Sequence, residues 1–493
     1  MNQKRVMGGR RAAIWGGVAM ASLLAAWPAA AQSQAEVQNE APTLYEESPK
    51  AGTPFWDDAT VGYMFRTASF NRSSSGDANV PGLAFKQAGA GVGGWVYGTT
   101  GEIGEMLSFG ATYNFVEPIW APEQYPFNFI LKDTSQSGYG VIGELNARLR
   151  LGSNQIVVGR QTIRNQWFMD GVYRFFNKLD QSMVGPRDIR GMNWITYEAA
   201  TLQGRAFDDS LRYYAGYVTD MKQVNDDKFR NLYQGGWNVF LYPSASRQGD
   251  SDGMAYVGMN WKPTNNNMVS ASYHNVQNML NMVYLDYDHV FRMDEGKYFR
   301  VGAQWMYQES NGQSLMRGSN GQTGANFNTN YGGIYLESRP MPWWIPYFAA
   351  GLTSDHNQIY SPFSIGPSYL IQRVGENSAA GERTWILGTT FDFATFGVNG
   401  LSFDVTYGQR TNRSVNGSPN LPLADWTEVA TDLIYIFPQD GFFKNLRARA
   451  RYAKVWQKGD EWRAAAGAIQ YVDYSINDVR FDVQLNVPFN FFR

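Results

Sequence analysis

Arg447, Arg449 and Arg451 stand two residues apart in the stretch from Asn445 to Val455, separated by Ala448 and Ala450. A guanidinium stays protonated at physiological pH and presents a planar fork that matches a carboxylate. Three in a row suit the holding or guiding of acids, provided that they share a face. Arg480 and Arg66 are candidates to extend the column, and Glu428 and Asp432 are carboxylates on the neighbouring strand that could oppose it. Two uses remain open. The column could be a ladder of moderate sites that bind an anion and release it in turn. Or the arginines could pair with Glu428 and Asp432, leaving a wall that is neutral and rigid. Arg410, Asp392 and Asp404 are placed on the other side of the same interior.

Catalytic chemistry finds little material. The only histidines, His274, His289 and His356, fall in different segments, and there is no cysteine, so neither a nucleophile with its base nor a metal cluster can be assembled. No cofactor is expected. The run Gly89 to Gly94 has no following helix or lysine to make it a phosphate loop and is read as a curved strand. A formal net charge of -2 leaves no electrostatic footprint for nucleic acid.

The element that positions the arginines must be a strand. Alternate side chains of a strand share a face, whereas on a helix the three would spread around the axis and leave no apolar stripe. The final segment repeats the pattern, with Asp478, Arg480, Asp482, Gln484 and Asn486 on one side and Val479, Phe481, Val483, Leu485, Val487, Phe489 and Phe491 on the other. Further two-sided segments set Val141, Leu145, Ala147 and Leu149 against Glu144, Asn146, Arg148 and Arg150, and Phe299, Val301, Ala303, Trp305 and Tyr307 against Arg300, Gly302 and Gln304. Aromatic residues make up 15% of the chain against 17% charged, and no run of 18 apolar residues follows the N-terminus. Strands, oily outside and wet inside, are then the means of crossing a membrane.

At the front, Lys4, Arg5, Arg10 and Arg11 precede an apolar stretch from Ala12 to Trp27, and Ala29-Ala30-Ala31 supplies a small-residue cleavage site. Residues 1–31 read as a signal peptide and 32–54 as an acidic periplasmic leader, with residues 55–493 forming an outer-membrane β-barrel domain. Strands are expected at 58–72, 83–98, 104–115, 138–151, 155–164, 190–203, 209–221, 253–262, 267–277, 282–291, 297–310, 325–339, 343–354, 383–397, 400–411, 425–437, 445–457 and 478–491. That is eighteen, with sixteen the alternative and 253–291 the least certain stretch. Their connections alternate between short and long. The long ones are Val116 to Ser137, Asn165 to Ile189, Lys222 to Asp252, Asp355 to Glu382 and Lys458 to Asn477. Short periplasmic turns and longer external loops are the mark of a transmembrane antiparallel barrel of a Gram-negative outer membrane.

Five short stretches resemble the OprD family of substrate-specific outer-membrane porins. They are Asp57 to Val61 with Phe65-Arg66-Thr67 and Asn71-Arg72; Val158-Gly159-Arg160-Gln161; Ala215 to Val218 with Met221, Lys222 and Phe229; Glu428 to Phe437 with Leu446 to Tyr452; and Val479-Arg480. Their order and spacing carry the likeness. The resemblance implies an all-β, 18-stranded barrel, monomeric or homotrimeric, with a third extracellular loop folded inward. It also implies a basic ladder on the lumen wall that draws in carboxylate-bearing solutes. Two departures stand out. The stretch from Leu179 to Arg187 matches the family's third-loop pattern only loosely, and the chain ends on Arg493 rather than on an aromatic. Independently of the family, residues 165–189 mix Trp167, Phe168, Tyr173, Phe175 and Phe176 with Asp170, Arg174, Asp180, Arg187 and Asp188. So apolar a loop is read as a constriction inside the lumen, or else as packed on neighbouring loops. The expected function is passive, substrate-selective diffusion of small carboxylate-bearing solutes such as amino acids, peptides or aromatic acids. The alternative is a non-conducting structural or adhesive barrel whose work is done by loops 222–252 and 355–382. Expected partners are these solutes, outer-membrane lipid and lipopolysaccharide, and the barrel-assembly machinery.

Overall fold

The period-2 segments become strands in the computed structural model of the chain, which describes residues 55, 59–76, 86–122, 130–132, 135–163, 192–193, 195–232, 251–315, 326–360, 368–375, 379–415, 420–438, 443–463 and 467–489. The expected signal peptide, leader and C-terminal residue Arg493 lie outside them.

Eighteen strands form the wall: β1 Thr60–Gly76, β2 Lys86–Thr99, β3 Leu107–Trp120, β4 Tyr139–Leu151, β5 Asn154–Gln161, β6 Thr196–Ala206, β7 Leu211–Lys222, β8 Met254–Thr264, β9 Asn267–Val276, β10 Leu280–Arg292, β11 Tyr298–Ser310, β12 Asn328–Arg339, β13 Trp344–Thr353, β14 Arg383–Asp392, β15 Leu401–Thr411, β16 Asp425–Ile436, β17 Leu446–Arg463 and β18 Ala468–Phe489. Each pairs antiparallel with the next, and β1 pairs with β18 from Val61↔Phe489 to Gly76↔Tyr474, so the sheet has no free edge within the wall. Closure matters because hydrocarbon cannot satisfy an exposed row of backbone donors and acceptors.

The two faces separate as a barrel in lipid requires. Leu145, Val158, Val257, Leu352, Leu387 and Phe481 point outward and are each more than half exposed; in water that surface would be an unusually large apolar patch. Inward-facing Glu144, Asn146, Arg148, Asp286, Arg300, Gln304 and Glu428 are buried. No helix among the described residues is long and apolar enough to cross a membrane. Short turns such as 152–153 and 265–266 gather at one end, taken as periplasmic, and the longer loops at the other.

The glycine run of β2 is a strand, as expected, with a register shift between Ala90 and Gly91. A Cβ on Gly91 would lie 2.9 Å from the Ile130 side chain. The missing side chains leave room for Ile130 and Leu131, which enter from the loop after β3 and pack with Phe70 and Val116.

Three expectations need correction. Lys458 to Asn477 is no loop: β17 and β18 continue as a paired hairpin as far as Arg463↔Ala468, beyond the ends of their neighbours. Val141 does not share the outer face of Leu145, because a register shift between Thr112 and Tyr113 resets the alternation of the opposing β4; Val141 is buried while Leu145 is exposed. The described part of the loop 355–382 is drawn into the barrel rather than displayed outside it. Asp392 continues the inward alternation of Thr390 at the end of its strand, where it also accepts from the Ala394 N–H at 2.9 Å and caps a short 3-10 turn.

Candidate functional site

Registry decides which arginines meet. Across β17 and β18, Arg449 lies opposite Asp482 and Arg451 opposite Arg480; across β16 and β17, Asp432 lies opposite Arg451; across β1 and β18, Ala68 lies opposite Asp482 and Arg72 opposite Asp478. Strands spaced about 4.8 Å apart bring such neighbours within reach of long side chains. Arg449 grips Asp432 through two nitrogens, with Nε to Oδ1 at 2.7 Å, and Arg451 reaches the same carboxylate at 3.4 Å. Arg66 bonds Asp482, which Arg447 also contacts at 3.4 Å while donating to Gln484 at 3.0 Å. Arg72 and Arg480 share Asp478 at 2.7 and 2.8 Å.

Every expected ladder residue is therefore brought to one wall, and each is held by a carboxylate. Six arginines nevertheless share three aspartates. The carboxylates fix the geometry of the guanidinium column, and its positive charge stays in surplus. The arginine column and the ion-pair lattice are one structure.

Glu428 takes a different place from the one expected. It does not pair with the arginines; it accepts from the backbone N–H groups of Val374 and Gly375, both at 2.9 Å. Those residues belong to the loop 354–382, which inward side chains of β11, β15 and β16 strap down. Gln308 and Tyr360 exchange two bonds, at 2.7 and 2.8 Å; the Tyr369 N–H donates to Gln304 at 2.6 Å; Arg410 donates to the carbonyls of Leu370 and Gly375 at 3.0 and 2.8 Å. Gly302, Gly351 and Gly408 make room, since a Cβ there would meet Tyr369, Leu370 and Gln372 within 2.9 Å. Burial pushes the Tyr360 hydroxyl up to about 12 and that of Tyr369 well above its ordinary value.

The same loop contributes Arg373, which contacts Asp404 and Asp432, both at 3.1 Å. Arg373 and Arg72 are thus members of the charged lattice that sequence reasoning missed. Arg72 lay within the stretch likened to the family's first strand, on the same face as Arg66. Arg373 was hidden in a loop assigned to the outside. Asp404 does line the lumen, accepting from Tyr347 and Thr390 at 2.9 Å each.

The opposite wall, on β10 to β12, reverses the balance. Asp286, Asp288 and Glu337 stand against Arg300, which donates to Asp288 at 2.9 and 3.0 Å and lies over the Tyr335 ring. Tyrosine hydroxyls serve the carboxylates: Tyr284 donates to Asp286, Tyr335 to Glu337, and Tyr298 to Glu337 at 2.8 Å. The expected constriction residues Asp170, Arg174, Asp180, Arg187 and Asp188 lie outside the described residues.

The fold is shared with solved porins. OpdK of Pseudomonas aeruginosa, crystallised with vanillate, matches with a TM-score of 0.68 at 15% identity over 88% of this chain and 100% of its own. A BenF-like porin of Pseudomonas fluorescens gives 0.70 at 12% identity over 88% and 100%. OccK2 of Pseudomonas aeruginosa, in complex with glucuronate, gives 0.63 at 14% over 88% and 100%. Among curated protein sequences, none matches. A family model described as outer membrane porin, OprD family, matches residues 184–489, and the chain belongs to that family of integral outer-membrane porins.

Proposed function

We propose that the protein is a substrate-selective passive diffusion channel for small carboxylate-bearing solutes. The observation that carries this reading is the surplus of six arginines over three aspartates on one lumen wall. An acid entering the lumen meets guanidiniums already oriented by their aspartates, and because each arginine is partly satisfied, none is a deep trap. The surplus of carboxylates on β10 to β12 favours solutes that also carry an ammonium group, so amino acids and short peptides suit this lumen as well as aromatic acids. Two of the solved relatives are seen with carboxylic acids, vanillate and glucuronate, which fits the same class.

In this reading Asp170, Arg174, Asp180, Arg187 and Asp188 narrow the path from the third loop. Residues 1–31 direct export and 32–54 lead into the barrel, which the barrel-assembly machinery inserts among lipopolysaccharide and lipid as a monomer or homotrimer. The adhesive alternative loses much of one of its two loops, since residues 359–360 and 368–375 are held inside the lumen.

Liposome swelling tests the proposal. Amino acids and aromatic acids should enter about tenfold faster than neutral sugars of equal size, a ratio typical of electrostatic focusing. Equal rates would remove the selectivity, and no swelling with any solute would remove the channel.

A further inference from the structure

Positive charge of a different kind sits at the other side of the barrel. Near the short-turn end, Arg212 on β7, Lys262 on β8 and Arg292 on β10 continue the inward-facing alternation of Tyr214, Tyr256 and Val290. β8 and β17 are nine strands apart in a ring of eighteen, so this cluster is diametrically opposite the arginine wall. Arg212 lies directly across from Arg205 on one side and from Asn260, two residues before Lys262, on the other. All three cations are exposed to water.

None of them is neutralised. The ion pairs of this rim, among the described residues, join Arg205 to Asp209 at 3.5 Å and Lys297 to Glu295 at 2.7 Å; Arg212, Lys262 and Arg292 enter none within 4.0 Å. The remaining rim carboxylates, Asp208 and Asp294, lie in the adjoining turns. Arg292 is oriented by its Nε donating to the Asn266 side-chain oxygen at 3.1 Å, and Asn266 is itself tied back, its N–H donating to Thr264 Oγ1 at 3.2 Å. Lys262, Thr264, Asn265, Asn266 and Arg292 line an open hollow of about 570 Å³, within the range of pockets that hold small molecules, about 300–1,000 Å³. Its lining offers two cations, a hydroxyl and two amides beside the apolar stems of the same side chains.

We propose that Arg212, Lys262 and Arg292 form a second anion station at the periplasmic mouth, which receives small di- and tricarboxylates as they leave the lumen. This rests on the channel reading given above. The two stations divide the work by solvation. The arginine wall is buried and ordered by its own aspartates, which suits selection. The rim cations are unpaired and hydrated, so they attract an anion and release it to water.

The chain has no cysteine, so Asn265→Cys gives a single reporter inside the cavity. The probes are an anionic sulfonatoethyl and a cationic trimethylammonioethyl methanethiosulfonate, applied to the folded full-length barrel in detergent and normalised to their rates with a free thiol. Correct folding of each variant is verified by its heat-modifiable gel mobility. The anionic reagent should react roughly tenfold faster or more, as expected where a surface potential concentrates counter-ions. Lys262→Gln with Arg292→Gln should bring the ratio close to one. Millimolar citrate should slow anionic labelling severalfold in the parent and leave the double variant unaffected. A ratio near one in the parent, a ratio unmoved by the double substitution, or indifference to citrate would each overturn the station. Labelling needs no conduction, so these outcomes are distinct from failure of liposome swelling, which would overturn the channel reading.

Discussion

The two walls of the lumen solve the burial of charge in opposite ways. On β1 and β16 to β18, six arginines crowd three aspartates, and Asp432 alone is shared by Arg449, Arg451 and the loop residue Arg373. In the middle of β10 to β12, Asp286, Asp288 and Glu337 gather around Arg300 alone, and the deficit is met by hydroxyls from Tyr284, Tyr298 and Tyr335. A neutral hydroxyl satisfies a carboxylate without cancelling its charge, and a carboxylate shared among guanidiniums leaves most of theirs. Both walls therefore keep a net sign while their polar groups stay bonded, and the field across the lumen is a product of unequal stoichiometry rather than of bare charges.

The sharpest way to break the comparison is Asp432→Asn, which leaves three buried guanidiniums without their common anion. Loss of one partner from a buried ion pair costs about 3–5 kcal/mol, and a urea midpoint measured in lipid vesicles should fall accordingly. Asp286→Asn on the opposite wall keeps an acceptor for Tyr284 and should cost only about 1–2 kcal/mol; equal losses at the two positions would erase the distinction drawn here. Gln304→Leu orphans the Tyr369 N–H and removes the acceptor of the Tyr331 hydroxyl. It should release the loop 354–382 at a cost of about 1–3 kcal/mol, read as faster proteolysis within that loop and a larger single-channel conductance. Glu428→Gln replaces two charge-assisted bonds to the Val374 and Gly375 N–H groups by weaker ones and should cost about 1 kcal/mol. It should leave ion selectivity unchanged, because Glu428 belongs to the clamp rather than to the arginine lattice.

Much of this was legible in the residues. Period-2 alternation located all eighteen strands, including β8 to β10, where the connection 277–279 breaks the alternation of short and long. Arg447, Arg449, Arg451 and Arg480 were placed on one face, and Arg66 was brought beside them by closure of the barrel. The outer part of the last hairpin was missed because it leaves the membrane. There both faces of Asp460, Glu461, Gln470 and Asp473 meet water or loops, and no alternation is imposed on the sequence. The inward loop was missed for a reason that the sequence did contain. Ile359, Tyr360, Tyr369, Leu370 and Ile371 with a single arginine nearby, Arg373, are as apolar as the third-loop stretch from which an inward fold was inferred, and the same argument applied to 355–382 would have found it. The sharing of one aspartate by three arginines could not be read from sequence, because it depends on register across β16, β17 and β18 and on a loop arriving from a distant part of the chain.

The account stands on surplus positive charge at the arginine wall. Its most direct test is the zero-current potential of single channels in a potassium chloride gradient, wild type against Arg447→Gln, Arg449→Gln and Arg451→Gln combined. The wild-type potential should report preference for chloride, and the triple variant, in which Arg66, Arg72 and Arg480 only balance Asp432, Asp478 and Asp482, should lose most of that preference and move toward zero. A potential that stays the same after all three guanidiniums are gone would contradict the account.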